Sequence, residues 1–229
     1  MTPAPPPHRR YGLDIETDTS LDGLDATRAA IVAVAVSTTR GDQVLLGDET
    51  DILRRLDALL AALEPGVIIT WNGTHFDLPF IATRAALLHV STGLRLGEPV
   101  LWPPPRRPGP YACSWGRHRH LDGYRLYRDD FGRTLQVSCG LKPLSRLAGL
   151  APVEVDRSQI HRLSDEQMRE YVASDARLAR QLVDRRMPVA YASADRAVPP
   201  PVPPHPAAPR GAEPGPSPSP LSPTAATLT

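Results

Sequence analysis

Residues 30–37 read AIVAVAVS, an alanine, valine and isoleucine run closed by a single hydroxyl. A short apolar run rich in β-branched residues predicts a buried strand. Gln43–Leu46 follows across Arg40-Gly41-Asp42 and predicts its hairpin partner. Then the period changes. Ile52, Leu53, Leu56, Leu59, Leu60 and Leu63 recur at three and four, as on an amphipathic helix, and Pro65-Gly66 stops it. Tyr11–Ile15 predicts an earlier strand that ends in acids. Val67–Thr70 predicts a further buried strand, Asn72-Gly73 a turn, Leu78–Leu88 a second helix and Leu141–Leu147 a short one stopped near Gly149. A last helix opens with Ser164 and Gln167 as a capping box, and with Leu163 and Met168 placed as a hydrophobic staple. Met168, Tyr171, Val172, Ala176, Ala179, Leu182 and Val183 form its apolar face, and Pro188 ends it. Strands alternating with helices predict α/β layers, and the early hairpin predicts a mixed sheet. Residues 91–119 are less regular: Trp102–Pro110 carries five prolines and predicts a loop. Residues 121–131 fit no single element.

The chain has 229 residues, 41% of them hydrophobic, which supports one core plus tails. The predicted division is a flexible N-terminal tail at 1–9, one domain at 10–190 and a Pro-rich tail at 197–229. Twelve of the 27 prolines fall between Pro199 and Pro223, and such a segment cannot bury enough apolar surface to offset its ordering entropy. The tail is therefore expected to be disordered, with docking into a partner's aromatic groove as the alternative. A formal net charge of +1 excludes a uniformly basic nucleic-acid binder, so any basic patch is local. The two cysteines, Cys113 and Cys139, form no CxxC pair, and reduced thiols are expected. The N-terminus has no apolar core of a secretory signal, and no stretch approaches ~20 apolar residues. A soluble, cytoplasmic protein without a membrane partner is expected.

Four acidic residues stand out. Asp14 and Glu16 lie two apart at the end of the first strand, so their carboxylates project from one face. Adjacent acids repel, which raises the pKa of one unless a cation sits between them, and oxygen-rich clusters suit Mg²⁺ or Mn²⁺. The alternative is a solvated strand end. Asp77 precedes Leu78 and Pro79 at a helix start, where an Asp also serves as an N-cap. Tyr171 and Asp175 share one face of the last helix, and Asp175 interrupts an apolar stripe. A charge there is costly unless it is paired or binds a metal; the alternative is an Asp reaching solvent, Arg177 or Arg180.

Taken in order, Asp14-Ile15-Glu16-Thr17, Asn72 with Phe76-Asp77, and Tyr171 with Asp175 resemble the motifs of the DEDD-type 3′-5′ exonucleases of the ribonuclease-H-like superfamily, in the subgroup with tyrosine in the third motif. The stretch from Gly140-Leu141-Lys142 to Leu147-Ala148-Gly149-Leu150 looks like the helix found between the second and third motifs. The resemblance spans roughly residues 10–187. It implies a central five-stranded mixed sheet flanked by helices. It implies that Asp14, Glu16, Asp77 and Asp175 bind two divalent ions, Mg²⁺ or Mn²⁺, that Tyr171 helps to position the attacking water, and that Thr17, Asn72 and Phe76 contact substrate.

The implied activity is removal of nucleotides from the 3′ end of single-stranded nucleic acid, DNA being favoured. Rivals are an exoribonuclease and an inactive nucleic-acid-binding module. A freestanding nuclease and a partner of a separate polymerase or repair protein are both compatible with the sequence. Arg106, Arg107, Arg117, His118, Arg119, His120, Arg125 and Arg128 interleave with Trp102, Tyr111, Trp115, Tyr124 and Tyr127. Cations for phosphates and rings for bases suit single strands, and Arg106, Arg107 and Arg117 are the expected phosphate contacts. An ordinary solvated basic loop is the alternative.

Overall fold

The computed structural model describes residues 9–97 and 112–186. Seven strands form one sheet: β1 (Arg9–Thr17), β2 (Ile31–Thr38), β3 (Gly41–Leu46), β4 (Gly66–Thr70), β5 (Leu94–Leu96), β6 (Cys113–Trp115) and β7 (His118–Asp122), in the order β3-β2-β1-β4-β7-β6-β5. The sheet is mixed. β1 pairs β2 antiparallel and β4 parallel, and β4 pairs β7 parallel. The expected five central strands are β3-β2-β1-β4-β7; two three-residue strands extend them at one edge. Those short strands escaped sequence reading because three residues show no period.

Among the described residues six α-helices flank the sheet: α1 (Glu49–Ala62), α2 (Asp77–Leu87), α3 (Gly123–Tyr127), α4 (Arg133–Leu135), α5 (Leu141–Leu147) and α6 (Asp165–Asp184). A π turn, Arg128–Gly132, continues α3, and a 3-10 turn, Arg157–Arg162, precedes α6. The ambiguity over residues 121–131 has this origin: a strand end, a short helix and a π turn occupy eleven residues without one sustained period.

Strand period two divides β1 between the layers. Tyr11, Leu13 and Ile15 enter the core shared with Ile52, Leu56 and Leu60 of α1 and with Leu78 and Ile81 of α2. Gly12, Asp14 and Glu16 therefore face the other side, where α6 runs. There Ala33 and Ala35 of β2 pack with Tyr171, Val172 and Ala176. Small residues beneath α6 let it come close: a Cβ on Gly12 would stand 1.9 Å from the carbonyl oxygen of Ala176. The predicted capping box is formed, with Ser164 Oγ accepting from Gln167 N and Gln167 Oε1 from Ser164 N. Helix α6 closes at Asp184; Pro188, the Trp102–Pro110 loop, residues 1–8 and the Pro-rich tail lie outside the described residues, while Arg9, assigned to the N-terminal tail, opens β1.

Candidate active site

The acids meet on the α6 side of β1. Asp14 and Glu16 pair across β2 with Ala35 and Ala33, the alanines over which α6 passes. Asp175 therefore arrives above the strand acids. One carboxylate oxygen from each of Asp14, Glu16 and Asp175 lies within 4.8 Å of the others. Asp77 lines the same cavity, about 660 Å³ in volume, together with all three.

Asp77 is not an N-cap. It is the first residue of α2, while Phe76 holds the cap position without a side-chain bond. Its carboxyl is buried against the cavity, and repulsion from Asp77 is the largest charge effect on Asp14. Nor does Asp175 reach solvent or the two arginines weighed above. Arg177 pairs with Asp42 at 2.6 Å and Arg180 with Asp184 at 3.4 Å. Asp175, 1% exposed, has Lys142 Nζ 3.1 Å from its Oδ1. Lys142 reaches it from α5, 4.1 Å from the Tyr171 ring centre, and also donates to the carbonyl of Val153. Tyr171 is 1% exposed, and Arg157 Nε donates to its Oη at 3.3 Å.

The electrostatics are those of an acid cluster short of cations. Burial pushes the Asp14 carboxyl well above its ordinary range, and Asp77, Asp175 and Glu16 add repulsion. Burial, with repulsion from Asp175, raises Glu16 to about 8. Burial raises Asp77 to about 7, against the opposing pull of the amides of Asp77 and Ile15. Asp175 is also raised by burial, with Lys142 pulling it down. Burial and the neighbouring Glu16 and Asp175 push the Tyr171 phenol up, so it is neutral at pH 7. Lys142 and Arg157 balance only part of four carboxyls. An all-oxygen donor set this close fits a hard divalent cation such as Mg²⁺ or Mn²⁺.

The remaining expected positions divide. Thr17, Asn72 and Phe76 line the cavity. Thr17 Oγ1 donates to the Gly23 carbonyl at 2.7 Å, and Phe76 packs on Phe80. Asn72 holds φ +69, a left-handed conformation that Asn tolerates. Arg117 is a correction. It sits in the β6–β7 turn, where its guanidinium donates to Leu63 O at 3.4 Å, beyond the end of α1 and away from the acids. The hairpin pairing of β6 with β7 carries it there. His118 and His120 face inward, to Leu60 O and Thr70 Oγ1. Arg106 and Arg107 lie outside the described residues. Of the basic and aromatic cluster, Tyr124 and Arg128 do line the cavity.

Sequence reasoning missed three supporting residues. Arg157 sits in a 3-10 turn without periodic signal. Lys142 was visible only as part of the Gly140-Leu141-Lys142 match. Asp122 ends β7 and accepts from Asn72 N (2.9 Å), Thr74 N (3.2 Å) and Tyr124 N (3.0 Å), so one buried carboxylate ties the Asn72 turn to α3. An Asp before Gly-Tyr-Arg is a legible N-cap signal, but its bonds to residues fifty positions away are not.

The mixed sheet, the strand acids and the crossing helix that brings Tyr171 and Asp175 are similar in arrangement to a DEDD-type exonuclease domain, and the comparisons with known proteins support that likeness. Residues 36–99, which include Asn72 and Asp77, match the family model "DNA polymerase family B, exonuclease domain". The chain is 30% identical over 133 residues to a catalytic chain of DNA polymerase epsilon from Arabidopsis thaliana, and 33% identical over 133 residues to that of Candida glabrata. Each match covers 56% of this chain and 6% of the relative, so the chain spans a small fraction of their length. A family B DNA polymerase from the archaeon Pyrobaculum calidifontis shares the fold, with a TM-score of 0.65 and 21% identity over 82% of this chain and 26% of that one.

Proposed function

We propose that the protein is a metal-dependent 3′-5′ exonuclease that removes nucleotides from single-stranded DNA, with residues 10–190 as its catalytic domain. The convergence of Asp14, Glu16 and Asp175 within 4.8 Å carries this reading. The relatives, named as catalytic chains of a DNA polymerase, favour DNA over RNA and an association with a polymerase. A cytoplasmic setting is part of this reading, and among the described residues no helix is long and apolar enough to cross a membrane.

Asp14, Glu16, Asp77 and Asp175 would hold two divalent ions, Mg²⁺ or Mn²⁺. Bound there, the ions would make water more acidic and neutralise charge on the scissile phosphate. The protein's own groups prepare the rest. Lys142 fixes one oxygen of Asp175. Arg157 donates to Tyr171 Oη, which leaves the phenolic proton free to be donated elsewhere. A neutral Tyr171 is thus an orienter of the attacking water by hydrogen bonding, not a strong base. Thr17, Asn72 and Phe76 border the acids and hold the terminal nucleotide.

Digestion of matched end-labelled single-stranded DNA and RNA with Mg²⁺, Mn²⁺ or EDTA tests this. Shortening from the 3′ end of DNA is expected, absent in EDTA and in Asp14→Asn or Asp175→Asn. Full activity in either purified variant overturns the site. Faster release from RNA transfers the substrate to the exoribonuclease class. Binding without release in any metal leaves an inactive module.

A further inference from the structure

The cavity holds more than the acids need. Beyond them, its walls are made by the Trp71–Phe76 turn on one side and by Tyr124 and Arg128 on the other. The walls are fastened together. Trp71 lies against the start of α3, where a Cβ on Gly123 would stand 2.9 Å from its ring, and Tyr127 packs beside it at 5.6 Å. Asp122 accepts from Asn72 N and from Tyr124 N through the same oxygen. Tyr124 is therefore held at a set position beside Asn72.

The charges in the cavity have distinct occupations. Lys142 and Arg157 serve Asp175 and Tyr171. Arg128 does not. Its guanidinium is exposed, 5.8 Å from the centre of the Tyr124 ring, and among the described residues it has no carboxylate partner. Its neighbour Asp129 pairs with Arg133 instead, at 3.7 Å. An aromatic ring and an uncommitted cation at the mouth of an acid-lined cavity offer a π face and a phosphate ligand side by side, the combination that binds single-stranded nucleic acid.

We propose that Tyr124 and Arg128 form a second nucleotide subsite, in which the base preceding the terminal nucleotide stacks on Tyr124 and its phosphate pairs with Arg128. The subsite rests on the nuclease reading for its orientation relative to the acids. Asp122 is a positioning residue for it. The subsite makes recognition depend on substrate length: a single nucleotide uses only the acid end, and two nucleotides use both.

The test uses the full chain with Ca²⁺ in place of Mg²⁺ to suppress turnover. Its probes are 5′-phosphorylated oligothymidylates of one, two and three residues. In the unmodified protein, the second nucleotide tightens binding on the order of tenfold. Tyr124→Ala and Arg128→Ala cut that gain to below about threefold. Tyr124→Phe restores it, since only the ring is needed, and Arg128→Lys restores the salt dependence that Arg128→Ala lowers by about 0.7 in log–log slope. Melting temperatures of all four variants identify any loss due to misfolding, and Tyr124→Leu or Arg128→Gln, which keep bulk but lose the ring or the charge, takes the place of an alanine variant that fails to fold. Absence of a length gain in the unmodified protein, or its full retention in Tyr124→Ala and Arg128→Ala, overturns the subsite. A separate arm follows Mn²⁺-dependent hydrolysis of the p-nitrophenyl ester of thymidine 5′-monophosphate, which contains only one nucleotide. Failure of that arm in the unmodified protein counts against the nuclease reading, whereas the binding arm alone decides the subsite.

Discussion

Gly12 of β1 and Ala176 of α6 approach so closely that a Cβ on the glycine would stand 1.9 Å from the alanine's carbonyl oxygen. Gly12 lies two residues before Asp14, and Ala176 directly follows Asp175. This contact therefore sets the gap between the strand acids and the helix acid. Gly12→Ala has to push α6 outward. We expect a stability loss of about 1–3 kcal/mol, as for an overpacked core, and a weakened response of the melting temperature to Mn²⁺. Urea unfolding with and without Mn²⁺ checks both, and unchanged values would show that the gap is not what holds the acids together.

The raised carboxyls give the metal-free protein a defined pH response. Glu16 rises to about 8 and Asp77 to about 7, with Asp14 raised as well. In the unfolded chain these groups titrate near 4. Between those limits the folded state binds more protons than the unfolded state, so stability falls as pH rises. The contribution is fully present below about pH 4 and is lost as pH passes through about 7 to 8. In EDTA the melting temperature should fall from pH 5 to pH 9. Saturating Mg²⁺ should flatten the fall by compensating the charged acids. A profile identical in EDTA and Mg²⁺ would mean that no ion binds among them.

Tyr171 and Arg157 are expected to act as a unit. Tyr171→Phe removes the Oη that Arg157 holds at 3.3 Å. It should slow cleavage while leaving metal affinity intact. Arg157→Ala should also slow cleavage, and the double variant should be little slower than Tyr171→Phe alone, because residues in contact are non-additive. Rate constants from a double-mutant cycle decide it; strictly additive losses would give Arg157 a role independent of the phenol.

Away from the site, Arg84 of α2 grips both oxygens of Glu49 at the start of α1, at 2.8 and 2.5 Å, and Glu49 also accepts from Ile31 N at 2.7 Å. The pair is largely sheltered, so leaving one charge unpartnered is costly. Arg84→Met should destabilise by about 3 kcal/mol, measured by chemical denaturation. A change near zero would mark the pair as solvated.

These relationships show which parts of the molecule the sequence made legible. Wherever a period ran long enough, as in AIVAVAVS, in the leucine stripe of α1 and in the capped α6, the element appeared where the pattern put it. The motif acids were legible because period two aligns Asp14 with Glu16 and the helix period aligns Tyr171 with Asp175. Their meeting depends on Gly12, Ala33 and Ala35, small residues whose importance lies in what they allow to approach. Lys142 and Arg157 were not legible as site residues because their roles come from side chains reaching across gaps between elements. Arg117 misled for the converse reason: its charge suited a phosphate, but the β6–β7 hairpin carries it to the end of the strands near Leu63, away from the acids.

The most direct test is a crystal soaked with Mn²⁺ and thymidine 5′-monophosphate, with the ions located by anomalous scattering. The account predicts two peaks about 3.5–4 Å apart, ligated by Asp14, Glu16, Asp77 and Asp175. Peaks only at other places on the protein, or an acid cluster left without any ion at saturating Mn²⁺, would contradict it.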